Sequence, residues 1–244
     1  MKIVIKLILL LGVLGYLIFA IFTLSGDDDS RICRSTKIII EENTDTGFVD
    51  TTFIEQLLKQ TKKPTTGIPL RSIEINYIQE FIRKCPYLDS VICYYTPNNV
   101  MCIRVIPRKP VLHVISDNGD SYYMDVHGND MPTNIFALNL CLATGNISKE
   151  FAKENLINIA VFLNSHKPWG KEIQQIHVKN PHHLELIPMT GDHVIILGEP
   201  TDIESKMNKL STFYREGLDK TGWNKYKTID LNYANQVVCT RRKQ

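Results

Sequence analysis

Eighteen consecutive residues, Leu7 to Leu24 (LILLLGVLGYLIFAIFTL), carry no charged side chain, and this run constrains the chain more than any other feature. As a helix it extends roughly 27 Å, close to the hydrocarbon thickness of a bilayer. Inside lipid, an isolated segment satisfies its backbone N–H and C=O groups only as a helix. Ile3 to Ile5 lengthen the run, and Lys6 is able to snorkel to the interface. Flanking charge predicts the direction. Lys2 and Lys6 precede the run, and Asp27, Asp28 and Asp29 follow it. Residues 1–6 are therefore expected in the cytoplasm and residues 25–244 across the membrane. A cleaved signal peptide competes with this reading. Its apolar core is usually about 7–15 residues and ends at an A-x-A-like site. This run is longer and lacks that site, although Thr23 and Ser25 leave room for weak cleavage. Gly12 and Gly15 make a small notch without the G-x-x-x-G spacing of helix pairing.

About 220 residues remain, enough for one or two domains at roughly 100–200 residues each. Apolar residues make up 43% of the chain, which supports a real core. The net charge of +2 and the absence of a large basic block argue against nucleic acid, and Arg241-Arg242-Lys243 reads as a solvated end. Six cysteines (Cys33, Cys85, Cys93, Cys102, Cys141, Cys239) are scattered, with no zinc-like spacing. If Thr96-Pro97-Asn98-Asn99 is a hairpin loop, Cys93 and Cys102 fall opposite each other, either bridged or as two small buried hydrophobes.

Residues 25–36 read as a tether. Lys37 to Glu42 looks like a strand. Thr52 with Glu55 fits a capping box ahead of a helix with Phe53, Ile54, Leu57 and Leu58 on one face. Ile75, Ile78 and Ile82 recur at helical spacing, and Pro86 closes that helix. Strands follow at Leu88–Tyr95 and Val100–Ile106, joined by turn residues. A second unit starts near Val111. It holds strands at 111–116 and 122–125 around the turn Asp117-Asn118-Gly119-Asp120, then a helix from Lys149 to Ser165. Strands recur at 173–179, 184–187 and 193–197. Thr201 with Glu204 suggests a second capping box, before a helix with Ile203, Met207, Leu210 and Phe213 on one face and Gly217 as its stop. Residues 227–232 and 236–240 close the chain as strands. The expectation is an α+β chain: a transmembrane helix (7–24), a small β-α-α-β-β domain (37–108), then a larger mixed-sheet domain with flanking helices (109–244).

Laid out in order, these pieces resemble the FtsQ/DivIB family of bacterial cell-division proteins, most closely its Bacteroidetes-type members. The first unit looks like a polypeptide-transport-associated (POTRA) domain, through Pro86-Tyr87-Leu88-Asp89-Ser90-Val91 and Ile103-Arg104-Val105. The junction Arg108-Lys109-Pro110-Val111, with Tyr123-Met124-Asp125 and Gly128, resembles the family's Pro-strand and aromatic-apolar-Asp-Gly pattern. Leu184-Glu185-Leu186, His193 to Gly198 and Lys206…Leu210 resemble its sheet-to-helix region. Gly222-Trp223…Tyr226…Ile229 to Tyr233…Gln236 to Cys239 resemble its terminal strands. The likeness covers nearly the whole chain. Two positions depart from the pattern: Pro107 stands where many members are acidic, and Asn232 where many have Arg. Lys225 and Lys227 are candidate substitutes for that Arg.

The resemblance implies a non-enzymatic, single-span protein of the inner membrane, enriched at the septum. It would bind the division proteins FtsB and FtsL and link them to septal peptidoglycan synthesis. The contact it suggests is strand addition to a C-terminal edge strand, with Tyr233, Asn235, Gln236, Val237 and Cys239 at or near it. The alternative is a POTRA-bearing transport or chaperone protein for exported polypeptides.

Catalytic patterns are poor. His177, His182, His183 and His193 cluster in sequence, but neighbours on a strand point to opposite faces, so a metal site is not expected and the histidines read as surface or turn residues. Ser121, Asp125 and His127 lie within seven residues of each other without a nucleophile elbow, and read as a turn. No phosphate loop or dinucleotide fingerprint is present, so no cofactor is expected. Asn146-Ile147-Ser148 is a formal glycosylation triplet, read instead as the start of the helix with Ser148 as its cap. Trp223 and Tyr226 suit either core or contact.

Overall fold

The computed structural model describes residues 10–20, 31–41, 49–133 and 136–242. Residues 10–20 form helix α1. The remainder of the Leu7–Leu24 run lies outside the described residues, as do residues 1–6 and 25–30. Among the described residues no helix is long and apolar enough to cross a membrane.

Two compact units follow, divided between Pro107 and Arg108. The first is built from β1 (Ser35–Ile40), α2 (Thr51–Gln60), a 3-10 turn (Leu70–Ser72), α3 (Ile75–Arg83), β2 (Leu88–Tyr95) and β3 (Val100–Pro107). The three-stranded sheet has order β1-β3-β2, with β1 parallel and β2 antiparallel to β3. Ile78 and Ile82, one helical turn apart on α3, bury completely with Ile54, Met101, Ile103 and Val105. The cap of α2 differs from the expected Thr52–Glu55 box. Asp50 holds it, its carboxylate accepting the Phe53 N–H at 2.7 Å. Aspartate is as good a cap as threonine and stands where the chain leaves extended backbone.

The β2–β3 register corrects the cysteine reading. Asn99 turns through positive φ (60°), Thr96 pairs with Val100, and Cys93 falls opposite Ile103 while Cys102 faces Tyr94. This is one residue away from the expected pairing, and a one-residue slip puts two side chains on opposite faces. None of the six cysteines is joined in a disulfide.

The second unit contains a nine-stranded mixed sheet of order β12-β11-β10-β9-β8-β7-β4-β5-β6. Its strands are β4 (Pro110–Ser116), β5 (Ser121–Asp125), β6 (Asp130–Pro132), β7 (Cys141–Gly145), β8 (Ile173–Asn180), β9 (His183–Pro188), β10 (Val194–Gly198), β11 (Tyr226–Asp230) and β12 (Val238–Arg241). The helices are α4 (Lys149–Phe151), α5 (Ile157–Ser165), α6 (Trp169–Glu172), α7 (Ile203–Phe213) and α8 (Asp219–Thr221), with π turns at Ala152–Leu156 and Tyr214–Leu218. Ser148 caps α4 by accepting the Phe151 N–H, as its position suggested. The second expected capping box is absent: Asp202 precedes α7 in the left-handed region and makes no side-chain cap bond. The helical path also runs past Gly217, through the π turn and α8, to Gly222 at φ 93°.

Two helical crossovers return the chain parallel to the strand it left: β7 to β8 through α4–α6, and β10 to β11 through α7 and α8. Period-two alternation gives the sheet one apolar face. Leu112, Val114, Ile176, Val178, Leu184, Leu186, Ile195, Leu197 and Ile229 join Leu156, Ile159, Leu163, Met207 and Leu210 from the helices in one core. β7 was not expected as a strand. Its sequence CLATG is short and ends in Gly145, whose φ of 104° and close approach to the Val178 carbonyl leave no room for a Cβ.

The β4–β6 end is organised by one carboxylate. Asp125 is 1% exposed and accepts from Arg108 (2.6 Å), from the His127 and Asn129 N–H groups (both 2.8 Å), and from the Asn129 side chain. Burial raises its pKa, but these donors outweigh that and hold it below the ordinary 3.8. Its stabilising effect is therefore full above that ordinary value and is lost as pH falls through the lower folded one. Replacing Asp125 by Ala strands Arg108 and should lower unfolding free energy by about 3 kcal/mol in denaturant titrations. Denatured without reductant, the full chain should titrate all six cysteines as thiols.

Candidate partner-binding edge

β12 ends the nine-strand order, and among the described residues no strand pairs with its outer side. It runs antiparallel to β11, with Val238 opposite Asp230, Cys239 opposite Ile229 and Thr240 opposite Thr228. The Arg242 N–H donates to the Lys225 carbonyl at 3.1 Å. By alternation, the backbone groups of Val238 and Thr240 also face β11, and those of Cys239 and Arg241 face outward. The edge is short at four residues, and Val238 leaves 42% of its surface exposed.

The strand starts later than expected. Residues 233–235 form a bend and turn, with Asn235 at φ 59°, so Gln236 and Val237 lead into β12 without belonging to it. Tyr233 sits in the bend, 49% exposed, and does not begin a strand. Asn235 and Gln236 are exposed, whereas Val237 and Cys239 are half-buried against the core. Burial also holds the Cys239 thiol above its ordinary pKa, so at neutral pH it packs as a small apolar group.

Lys209 on α7 fixes this bend. Its ammonium donates to the Leu231 carbonyl (2.8 Å) and the Tyr233 carbonyl (2.7 Å). Asn232 folds back on Asp230 through its N–H (2.9 Å) and side-chain amide (2.8 Å), and its carboxamide lies against Gly198 where a Cβ would clash. That contact accounts for a compact Asn in place of a long Arg. Of the two candidate substitutes, Lys225 lies over the Tyr226 ring at 5.6 Å and Lys227 is exposed. Between α7 and residues 235–237 lies a groove of about 1080 Å³. Ile203, Phe213 and Val237 give it an apolar floor, and Glu204, Asn208, Thr212 and Gln236 line it with polar groups. Sequence reasoning missed this groove, because its two walls are more than twenty residues apart in the chain.

Trp223 and Tyr226 pack against the core: the Trp223 ring lies 4.8 Å from Tyr214, and Tyr226 lies 5.9 Å from Phe213. Of the four histidines, His193 is buried and the other three are exposed or half-buried on β8, β9 and the turn between them. Among the described residues no three His, Cys, Asp or Glu side chains are grouped to hold a metal. The Ser121–Asp125–His127 grouping is a turn. Ser121 contacts His113, while Asp125 receives the His127 backbone.

A three-stranded sheet under two helices, followed by a mixed sheet whose last strand stands at its rim, defines a two-domain protein of the POTRA-plus-sheet class. Residues 31–106 match a POTRA-like domain, and residues 109–240 match the family described as FtsQ/DivIB, C-terminal related. The chain belongs to the FtsQ/DivIB family, a family of non-enzymatic division scaffolds, and its role lies in cell division. No curated protein matches the chain.

Replacing Lys209 by Ala removes two charge-assisted hydrogen bonds from the bend, a loss of about 1–2 kcal/mol at this half-exposed site. Amide exchange should accelerate at residues 231–236 while β8 and β9 stay protected, as read by NMR.

Proposed function

We propose that this chain is a non-enzymatic scaffold of the bacterial divisome, anchored in the inner membrane by residues 7–24. Residues 37–108 and 109–244 would then stand in the periplasm at the septum. The scaffold binds FtsB- and FtsL-type division proteins through the outer edge of β12 and couples them to septal peptidoglycan synthesis. One observation carries the reading: β12 is a rim strand with its outward backbone groups unpaired by any other described strand. A partner segment laid along it gains main-chain hydrogen bonds from Cys239 and Arg241 and, at the entry to the strand, from the Val237 N–H; its side chains meet Val238, Tyr233 and the groove beside Gln236 and Val237. Family membership supports the partner class.

A transport role for the POTRA-like domain is the second reading, favoured only by the match over residues 31–106. The two separate on imaging: midcell enrichment of a fluorescent fusion supports the scaffold, and uniform membrane signal with an outer-membrane barrel in pull-downs supports transport.

Replacing Val237 by Pro removes an N–H at the entry to the edge without touching the β11 ladder. With full-length protein and an FtsB/FtsL complex, affinity should fall about tenfold or more, a loss near 1.4 kcal/mol, relative to Val237→Ala, which loses the same side-chain packing but keeps the N–H. Unchanged affinity would rule out edge pairing.

A further inference from the structure

His193, just before β10, is 2% exposed. Its Nε2 lies 2.8 Å from the Tyr214 hydroxyl, and its Nδ1 is buried without a hydrogen-bond partner. Tyr214 meets the imidazole edge-on at 5.5 Å and Trp223 lies 6.3 Å away. The backbone of Gly191 passes so close that a Cβ there would fall 2.9 Å from Nδ1. The site accommodates a neutral ring. An imidazolium carries two N–H donors, and here the Nδ1–H would have no acceptor.

The turn that covers His193 is the same one that holds the end of β12. The Arg242 guanidinium donates to the Asp192 carboxylate (3.2 Å) and to the Asp192 carbonyl (2.8 Å). On its other flank the turn is tied to α6, where Glu172 accepts from the Thr190 N–H (3.1 Å) and hydroxyl (3.0 Å). We propose that His193 is an acid-sensitive latch. Its protonation opens the 189–193 turn, strips Arg242 of its anchors and frays β12 from β11, withdrawing the edge that the partner reads. The regulatory meaning rests on the partner-edge reading above; the latch itself does not.

The charged and titratable groups around the ring set the sign. Burial lowers the pKa of His193. The carboxylates of Glu172 and Asp192 favour the cation, and Arg242 opposes it. Tyr214, from the π turn, stays neutral because burial raises its own pKa. The net direction is downward, so the opened state binds the proton more tightly. Acid therefore favours opening as pH falls below about 6.5, the value of an exposed histidine.

The test follows amide exchange by NMR in the full chain, without partner, at about pH 7.5 and about pH 5.5, one unit either side of that value. Rates are corrected for intrinsic chemistry at each pH. The expected result is an increase of about tenfold at Thr240 and Arg242, the fold-change of protonating an exposed histidine one pH unit below its ordinary value, with β8 and β9 unchanged. His193→Gln should abolish the pH response. Arg242→Gln should leave those amides fast and pH-independent, because the turn no longer reaches β12. Should His193→Gln not fold, the wild-type imidazole titration decides: its midpoint must lie below about 6.5 and track the exchange of Thr240. The latch is overturned if β12 protection ignores pH, if His193→Gln keeps the acid response, or if the two midpoints part. Loss of partner capture by Val237→Pro is a separate measurement, so failure of one reading leaves the other standing.

Discussion

Helical crossovers decide where the large sheet stops, and so which strand leaves its backbone open at the rim. After β10 the chain leaves through α7 and returns as β11, parallel to β10. A parallel neighbour requires such a long detour, whereas an antiparallel one needs only a tight turn. Once β11 is in place, the bend at residues 231–235 is too short for a second crossover, and β12 takes the antiparallel rim position. Met207 and Leu210 seal α7 onto the sheet, and Lys209 ties the helix to the bend. The groove, the exposed Tyr233 and the free strand edge are consequences of that packing.

The sequence carried most of the element order because apolar periodicity is strong where burial is one-sided. Ile78 and Ile82 on α3, and Leu184 and Leu186 on β9, show their faces without any tertiary knowledge. What escaped was set by tertiary contact. β7 lies between β4 and β8, paired on both sides, and is too short to show a period. Asp50 and Asp202 stood beside Thr and Glu residues that mimic a capping box, and local pattern does not tell which polar side chain the chain direction will favour. The cysteine pairing failed on a turn that is one residue shorter than the four-residue Thr96–Asn99 loop: Thr96 pairs with Val100, which leaves only Pro97-Asn98-Asn99.

The rim position of the last strand was legible in outline, and its start was not. Rim position follows from being the last strand, and the five residues chosen do cluster there. Their roles divide, however. Val237 and Cys239 pack against the core, Asn235 supplies an exposed left-handed turn, and Tyr233 and Gln236 are exposed beside it. His193 was the largest misreading of type. A histidine beside Gly191-Asp192 looks like a solvated turn residue, and only the return of Tyr214 and Trp223 from later in the chain buries it.

Energetics argue that the edge does not act alone. Four residues of β12 turn the backbone groups of only two, Cys239 and Arg241, outward. Hydrogen bonds of this kind contribute about 1 kcal/mol each, while association costs roughly 4–15 kcal/mol in lost freedom. On the proposed reading main-chain pairing would therefore fix register and direction, with the affinity coming from elsewhere. Apolar burial against Ile203, Phe213 and Val237 is one source. Confinement would be the other: if residues 7–24 anchor the chain as proposed, a partner held in the same membrane meets the edge at a raised effective concentration, so a weak contact suffices. On the proposed reading, the Leu7–Leu24 run and β12 would act together, the run holding the chain at the membrane and the short strand setting the register of the contact.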